Sequence, residues 1–193
     1  MSEFNSTATP TTPPTPMGTT ATSKADLLAE ILKKPMSLKL LDLLNKLSFG
    51  NADMKLAVSM SPTALIVTAF TDKAILNINN HTKVAEVRET AILYAKVLKS
   101  FAVNCAPGRA QCRHPEVYTT FKHILELYPS DLIVANEVIT TLCALCMNDD
   151  ECTRLCKEGV GLEVIEREGG RGEGSNEQKV AFLKQLFESN ESI

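Results

Sequence analysis

Asp131–Cys146, DLIVANEVITTLCALC, reads as one long helix, with apolar residues returning every three or four positions. Tyr128-Pro129-Ser130-Asp131 punctuates the chain at its start. Asn148-Asp149-Asp150 then turns the chain. Glu151–Gly159, ECTRLCKEG, reads as a short helix ending at a glycine, and Val160–Gly170, VGLEVIEREGG, opens a further helix. That order, a long helix, a polar turn, a short helix and a new helix after glycine, decides how the rest of the chain is read.

Outward from this stretch, the same helix ending recurs. Leu142-x-x-Leu145-Cys146 is followed by Asn148, and Leu98-x-x-Phe101-Ala102 by Asn104. Leu44-x-x-Leu47-Ser48 is followed by Gly50-Asn51, and Leu183-x-x-Leu186-Phe187 by Ser189-Asn190. The leading leucines stand 54, 44 and 41 residues apart. The last two spacings fall near the roughly 40–47 residues of armadillo and HEAT repeats. The first is long, which predicts an insertion around Thr71–Lys83. Leu27, Leu28, Ile31 and Leu32 form one further helical stripe, and Leu40, Leu41, Leu43, Leu44 and Leu47 a broader one. Ile66–Phe70 (IVTAF) is β-branched enough for a strand, but it is short and its flanks are helical. The body is therefore expected to be all-α.

The unit Asp131–Gly170 resembles the armadillo repeat. In that family a long helix ends in Leu-x-x-Leu-small, a polar turn follows, and a short helix runs to a glycine. Cys152, Leu155 and Cys156 stand seven, four and three residues before Gly159, where the family places apolar residues. The resemblance extends over about Leu38–Phe187. It implies a right-handed α-α superhelix, an armadillo-like solenoid of about three to four repeats spanning residues 24–193. A HEAT-like array and a plain helical bundle are the alternatives. Repeats stack because a helix pair cannot cover its own apolar face. The last helix, NEQKVAFLKQLFESN, carries Val180, Leu183, Leu186 and Phe187 on one side and fits either a cap or a docking helix.

Composition sets the outer limits. The chain has 193 residues, is 44% hydrophobic and carries a net charge of -3, so a packed core is within reach and a bulk basic field for nucleic acid is absent. No apolar run of about 18 residues marks a membrane span, and no signal-peptide pattern opens the chain. A cytoplasmic location, with the nucleus as a second possibility, is the expectation, and the six cysteines are expected to be reduced. Residues 1–23 are dense in Thr and Pro and are expected to be disordered. Thr9, Thr12 and Thr15 each precede proline, as proline-directed phosphorylation would require, and Pro10, Pro13 and Pro16 suit a polyproline II ligand.

Chemistry-bearing residues are sparse. Cys143, Cys146, Cys152 and Cys156 lie close in sequence, and a zinc site would need them to converge tetrahedrally. The simpler reading is buried structural thiols at small-residue positions, with no metal. Cys105 and Cys112 bracket a loop and are expected to be the more exposed, oxidisable pair. Gly169–Gly174 lacks the Gly-Lys-Ser/Thr ending of a phosphate loop and reads as a connector. His81, His114 and His123 form no triad or metal spacing, so no enzyme activity and no cofactor is expected. Arg109–His114 is a small basic loop that reads as solvated, or as a contact for an acidic partner or RNA.

The resemblance also implies where a partner binds. In the importin-alpha branch of the family the long third helix carries a Trp and, four residues on, an Asn that clamps an extended peptide. Those positions fall on Asp42 and Lys46, Lys96 and Ser100, Thr140 and Ala144, and Ala181 and Gln185. The chain has no Trp, so that ladder is missing and transport of nuclear signals by it is not expected. Lys96, Ser100, Asn136, Thr140 and Ala144 are the residues expected to line a concave partner-binding face. The implied function is a non-enzymatic protein-interaction module, an adaptor or scaffold. The alternative is a structural subunit docked through its end faces and C-terminal helix.

Overall fold

Polar caps and turn residues cut the chain into helices where its punctuation stands. The computed structural model describes residues 84–170 and 175–189, and ahead of them four separate helical positions, Lys39, Asp42, Asn45 and Lys46. The helices of the two continuous ranges are α1 (Val84–Ala102), α2 (Ala106–Ala110), α3 (Pro115–Leu127), α4 (Leu132–Cys146), α5 (Asp150–Gly159), α6 (Leu162–Gly169) and α7 (Ser175–Ser189). No strand occurs among the described residues. The Thr/Pro segment 1–23, the Leu27–Leu32 stripe, the leucines of the Leu40–Leu47 stripe, Ile66–Phe70, the Thr71–Lys83 region and Arg171–Gly174 lie outside the described residues.

The N-caps follow side-chain chemistry. Asp131 accepts hydrogen bonds from the backbone N–H groups of Ile133 and Val134 at 3.1 and 3.2 Å. Asp149 accepts one from Cys152 at 3.0 Å. Each carboxylate satisfies donors that the first helical turn leaves unpaired. Pro107 and Pro115 stand in the first turns of α2 and α3, where a missing N–H costs nothing.

The turn that ends α1 is built again at the end of α4. Asn104 and Asn148 are both left-handed, with φ of 55° and 57°. The next residues, Cys105 and Asp149, are both extended, with φ, ψ of -140°, 91° and -146°, 96°. Asparagine tolerates the left-handed region better than most side chains, so the same residue makes the same turn 44 positions on. Packing repeats with it. Leu98, Phe101 and Ala102 of α1 are buried, and so are Leu142, Leu145 and Cys146 of α4.

Packing centres on α4. It lies against α1 along one flank and α7 along the other, and it also contacts α3, α5 and α6. Its flank toward α1 is marked by Thr141, whose hydroxyl donates to the Ala95 carbonyl at 3.0 Å. Its flank toward α7 is marked by Cys143, whose thiol donates to the Lys179 carbonyl at 3.7 Å. Between the flanks, Val134, Val138, Leu142 and Leu145 point into the core. Tyr94 of α1 meets Phe121 of α3 with ring centroids 5.4 Å apart. Side chains of this size, fully buried, contribute on the order of 1.5–3 kcal/mol each. Gly169 lets the end of α6 approach closely, because a Cβ there would come within 2.6 Å of Ile139 on α4 and 2.5 Å of Val180 on α7.

Candidate partner-binding face

At roughly 100° per residue, the two flanks of α4 leave one narrow sector open. Ile133, Thr140, Ala144 and Met147 fall in it, bordered by Glu137 on the α1 side and Asn136 on the α7 side. Thr140 and Ala144 are half-buried, while Ile133 and Met147 are 59% and 49% exposed. The strip therefore has a small-residue middle and an apolar side chain at each end. On α1 the positions 44 residues earlier are Glu89, Lys96, Ser100 and Val103; Glu89 is exposed, Lys96 half-buried, Ser100 buried and Val103 41% exposed. Ala181 and Gln185 of α7 are exposed.

Polar pairs clasp each junction between long helices. Asn45 accepts a hydrogen bond from the Ser100 hydroxyl at 3.1 Å, which ties that position to α1. Lys99 of α1 meets Glu137 of α4 at 2.8 Å. Lys179 of α7 donates to the side-chain oxygen of Asn136 at 2.7 Å and to that of Asn176 at 3.3 Å. At the start of α1, Arg88 grips Asp131 with two bonds of 2.5 and 3.0 Å. The Arg88 guanidinium is the main reason that the Asp131 carboxyl lies below the ordinary range; burial opposes it and the capped N–H groups of α4 add to it.

The five residues expected at the face are distributed as follows. Lys96, Asn136, Thr140 and Ala144 are half-buried positions on α1 and α4. Thr140 donates its hydroxyl proton to the Asn136 carbonyl at 2.6 Å, which leaves its oxygen lone pairs outward. Ser100 is buried, and its hydroxyl also contacts its own helix at the Lys96 carbonyl, so it belongs to the seam beneath the face. Asp42 and Lys46 pair with each other at 2.6 Å. The exposed Ile133, Met147 and Val103 were not singled out by the sequence reading. The signal was present in Val103 and Met147, which stand at the same place in the repeated turn.

The thiols depart from one expectation. Cys112 is fully buried and Cys105 nearly so, while Cys143 is the half-exposed thiol. The chain folds back between α2 and α3, and Cys112 donates to the Gly108 carbonyl at 3.5 Å rather than facing water. Burial pushes the Cys112 thiol well above its usual value, and it holds Cys143 and Cys152 at about 12. Such thiols stay protonated at neutral pH and pack as small apolar groups. Tyr118 is buried with its hydroxyl beside the Cys152 thiol, and burial raises its pKa. Among the described residues no three His, Cys, Asp or Glu side chains converge as metal ligands.

The arginines of the basic loop make contacts within the fold. Arg109 donates to the Ala102 carbonyl at 3.0 Å and closes the C-terminus of α1. Arg113 grips Asp149 with bonds of 3.2 and 3.0 Å. Both guanidiniums thus serve the fold. His114 sits at the N-cap of α3 and His123 is exposed on the same helix. No described helix is long and apolar enough to cross a membrane. Comparison of the chain with family models, curated proteins and solved structures gives no match.

Proposed function

We propose that this chain is a short armadillo-like solenoid whose long helices hold a segment of a partner protein on their open face, with no catalytic role. One observation carries the reading. The central long helix α4 is covered by long helices on both flanks and by shorter helices on its inner side, and Ile133, Thr140, Ala144 and, just past its end, Met147 lie in the sector between the flanks. A row of side-by-side helices with a shared open strip suits an extended ligand laid across it. The recurrence of the Asn104 turn at Asn148 supports the repeat on which this rests. Exposed apolar side chains at the strip's ends supply area to bury, and the small middle gives room for a backbone.

The test is capture from native lysate by the full chain, followed by mass spectrometry, compared with a Lys96→Glu, Thr140→Glu double variant of normal helicity and melting temperature. Loss of a partner set with the variant is the expected result. Retention of the same partners at fixed stoichiometry would overturn the groove reading. It would move the site to the end faces and α7, where Phe182 and Leu186 are half-buried, as expected of a subunit fixed in a larger assembly.

A further inference from the structure

We infer that the ligand segment of this face is acidic and sets a carboxylate against Lys96. The inference rests on the groove reading above and adds the chemistry of the partner. Helix α1 carries three cations among its described side chains, Arg88, Lys96 and Lys99. Two of them are matched by carboxylates from α4. Arg88 has Asp131 and Lys99 has Glu137. Lys96 lies between them in sequence and is half-buried, and it has no acidic partner among the described residues.

The described residues around it are neutral or already paired. The α4 residue equivalent to Lys96, 44 positions on, is Thr140, and the border residue one turn before that is Asn136. Both are neutral. The carboxylate nearest in kind, Glu137, is engaged by Lys99. Asp42, three residues before the Asn45 that meets Ser100, is engaged by Lys46. Half-burial places the aliphatic stem of Lys96 along the face, and an arriving carboxylate would give its ammonium the counter-charge that its described neighbours do not. A basic ligand would meet the same ammonium as a like charge. Charge therefore selects an acidic segment, while Ile133, Met147 and Val103 offer contacts to its apolar residues. Across helices packed about 10 Å apart, a chain extended at about 3.3 Å per residue takes roughly three residues to pass from one helix to the next. An Asp or Glu flanked about three residues away by an apolar side chain fits that spacing.

The probe is a display library of random peptides about twelve residues long, enough to span roughly 40 Å when extended. It is selected against the full chain and against its Lys96→Gln, Thr140→Arg and Lys122→Gln variants. The expected result is enrichment of Asp and Glu over Lys and Arg in the bound pool. Affinity of those peptides should fall on the order of tenfold with Lys96→Gln, weaken further in high salt, and stay unchanged with Lys122→Gln on α3. Neutral or basic peptides that are bound and are lost with Thr140→Arg would overturn the acidic ligand and leave the groove standing. Acidic peptides that bind Lys96→Gln and Lys122→Gln as well as the parent would also overturn it. A pool that is never enriched, or that is indifferent to Thr140→Arg, would overturn the groove itself.

Discussion

Replacing Asp149 with alanine removes two interactions held by one carboxylate. The group is nearly buried, with 4% of its side chain exposed, and it caps α5 through the Cys152 N–H. It also receives both bonds from Arg113, which reaches across from the connection between α2 and α3. Loss of an N-cap of this type costs about 1 kcal/mol. The Arg113 guanidinium is 48% exposed and returns to water when released, so its pairing is discounted to about 0.5 kcal/mol. The expected loss is about 1.5 kcal/mol, or roughly 3–6 °C in melting temperature at about 2–4 °C per kcal/mol for a domain of this size. Asp149→Asn keeps an acceptor oxygen for the cap and should lose only about 0.5–1 kcal/mol. Urea denaturation of both variants, with a double-mutant cycle against Arg113→Ala, separates cap from pair. A loss below about 0.5 kcal/mol for Asp149→Ala would refute the capping argument. Zero coupling to Arg113 would refute the pairing.

Acid should weaken the fold through Asp131 and Asp149. Both carboxyls lie below their ordinary range; for Asp149, burial pushes upward but is outweighed by Arg113 and the Cys152 N–H. Their stabilisation is complete above the unfolded value of about 3.9 and is lost as pH falls below it toward the native values; the urea midpoint should drop between neutral pH and pH about 3, and less steeply in an Asp131→Asn, Asp149→Asn variant. Gly159→Ala should cost about 1–3 kcal/mol, because the new Cβ would stand 2.6 Å from Tyr118 Cβ, an atom fixed to the α3 backbone; thermal melting measures it, and an unchanged melting temperature would show that α5 and α3 are not so tightly packed. A thiol reagent at neutral pH should modify Cys143 before the buried cysteines and slowly, its pKa being about 12; mass mapping of the first adduct to any other cysteine would contradict this order.

Local chemistry made the helices legible. The boundaries at Tyr128–Asp131 and Asn148–Asp150 were legible as turns, while the capping of α4 and α5 by the Asp131 and Asp149 carboxylates is seen only in the folded chain. Asn104 and Asn148 marked the repeated turn because the left-handed backbone admits few residue types. The 3.6-residue period of α4 and of α7 showed which residues would be buried, since periodicity records a helix's apolar side directly. The candidate face was legible only as positions. The spacing that selected Lys96 and Thr140 could not register that Ser100 lies under a neighbouring segment, or that Cys112 is drawn inward by the α2–α3 connection.

By itself, then, the sequence determined the helical character of the described residues, their turns, and the absence of a tryptophan ladder, because each depends on residues close together or on composition. Tertiary structure alone decided which charges are matched. Arg88 finds Asp131 across 43 residues, Lys99 finds Glu137 across 38, and Arg113 finds Asp149 across 36. No local pattern encodes those partners, because they meet only once α4 is packed between its neighbours. The same packing leaves Lys96 without a carboxylate among the described residues, and makes a strip of ordinary residues on α4 an open one.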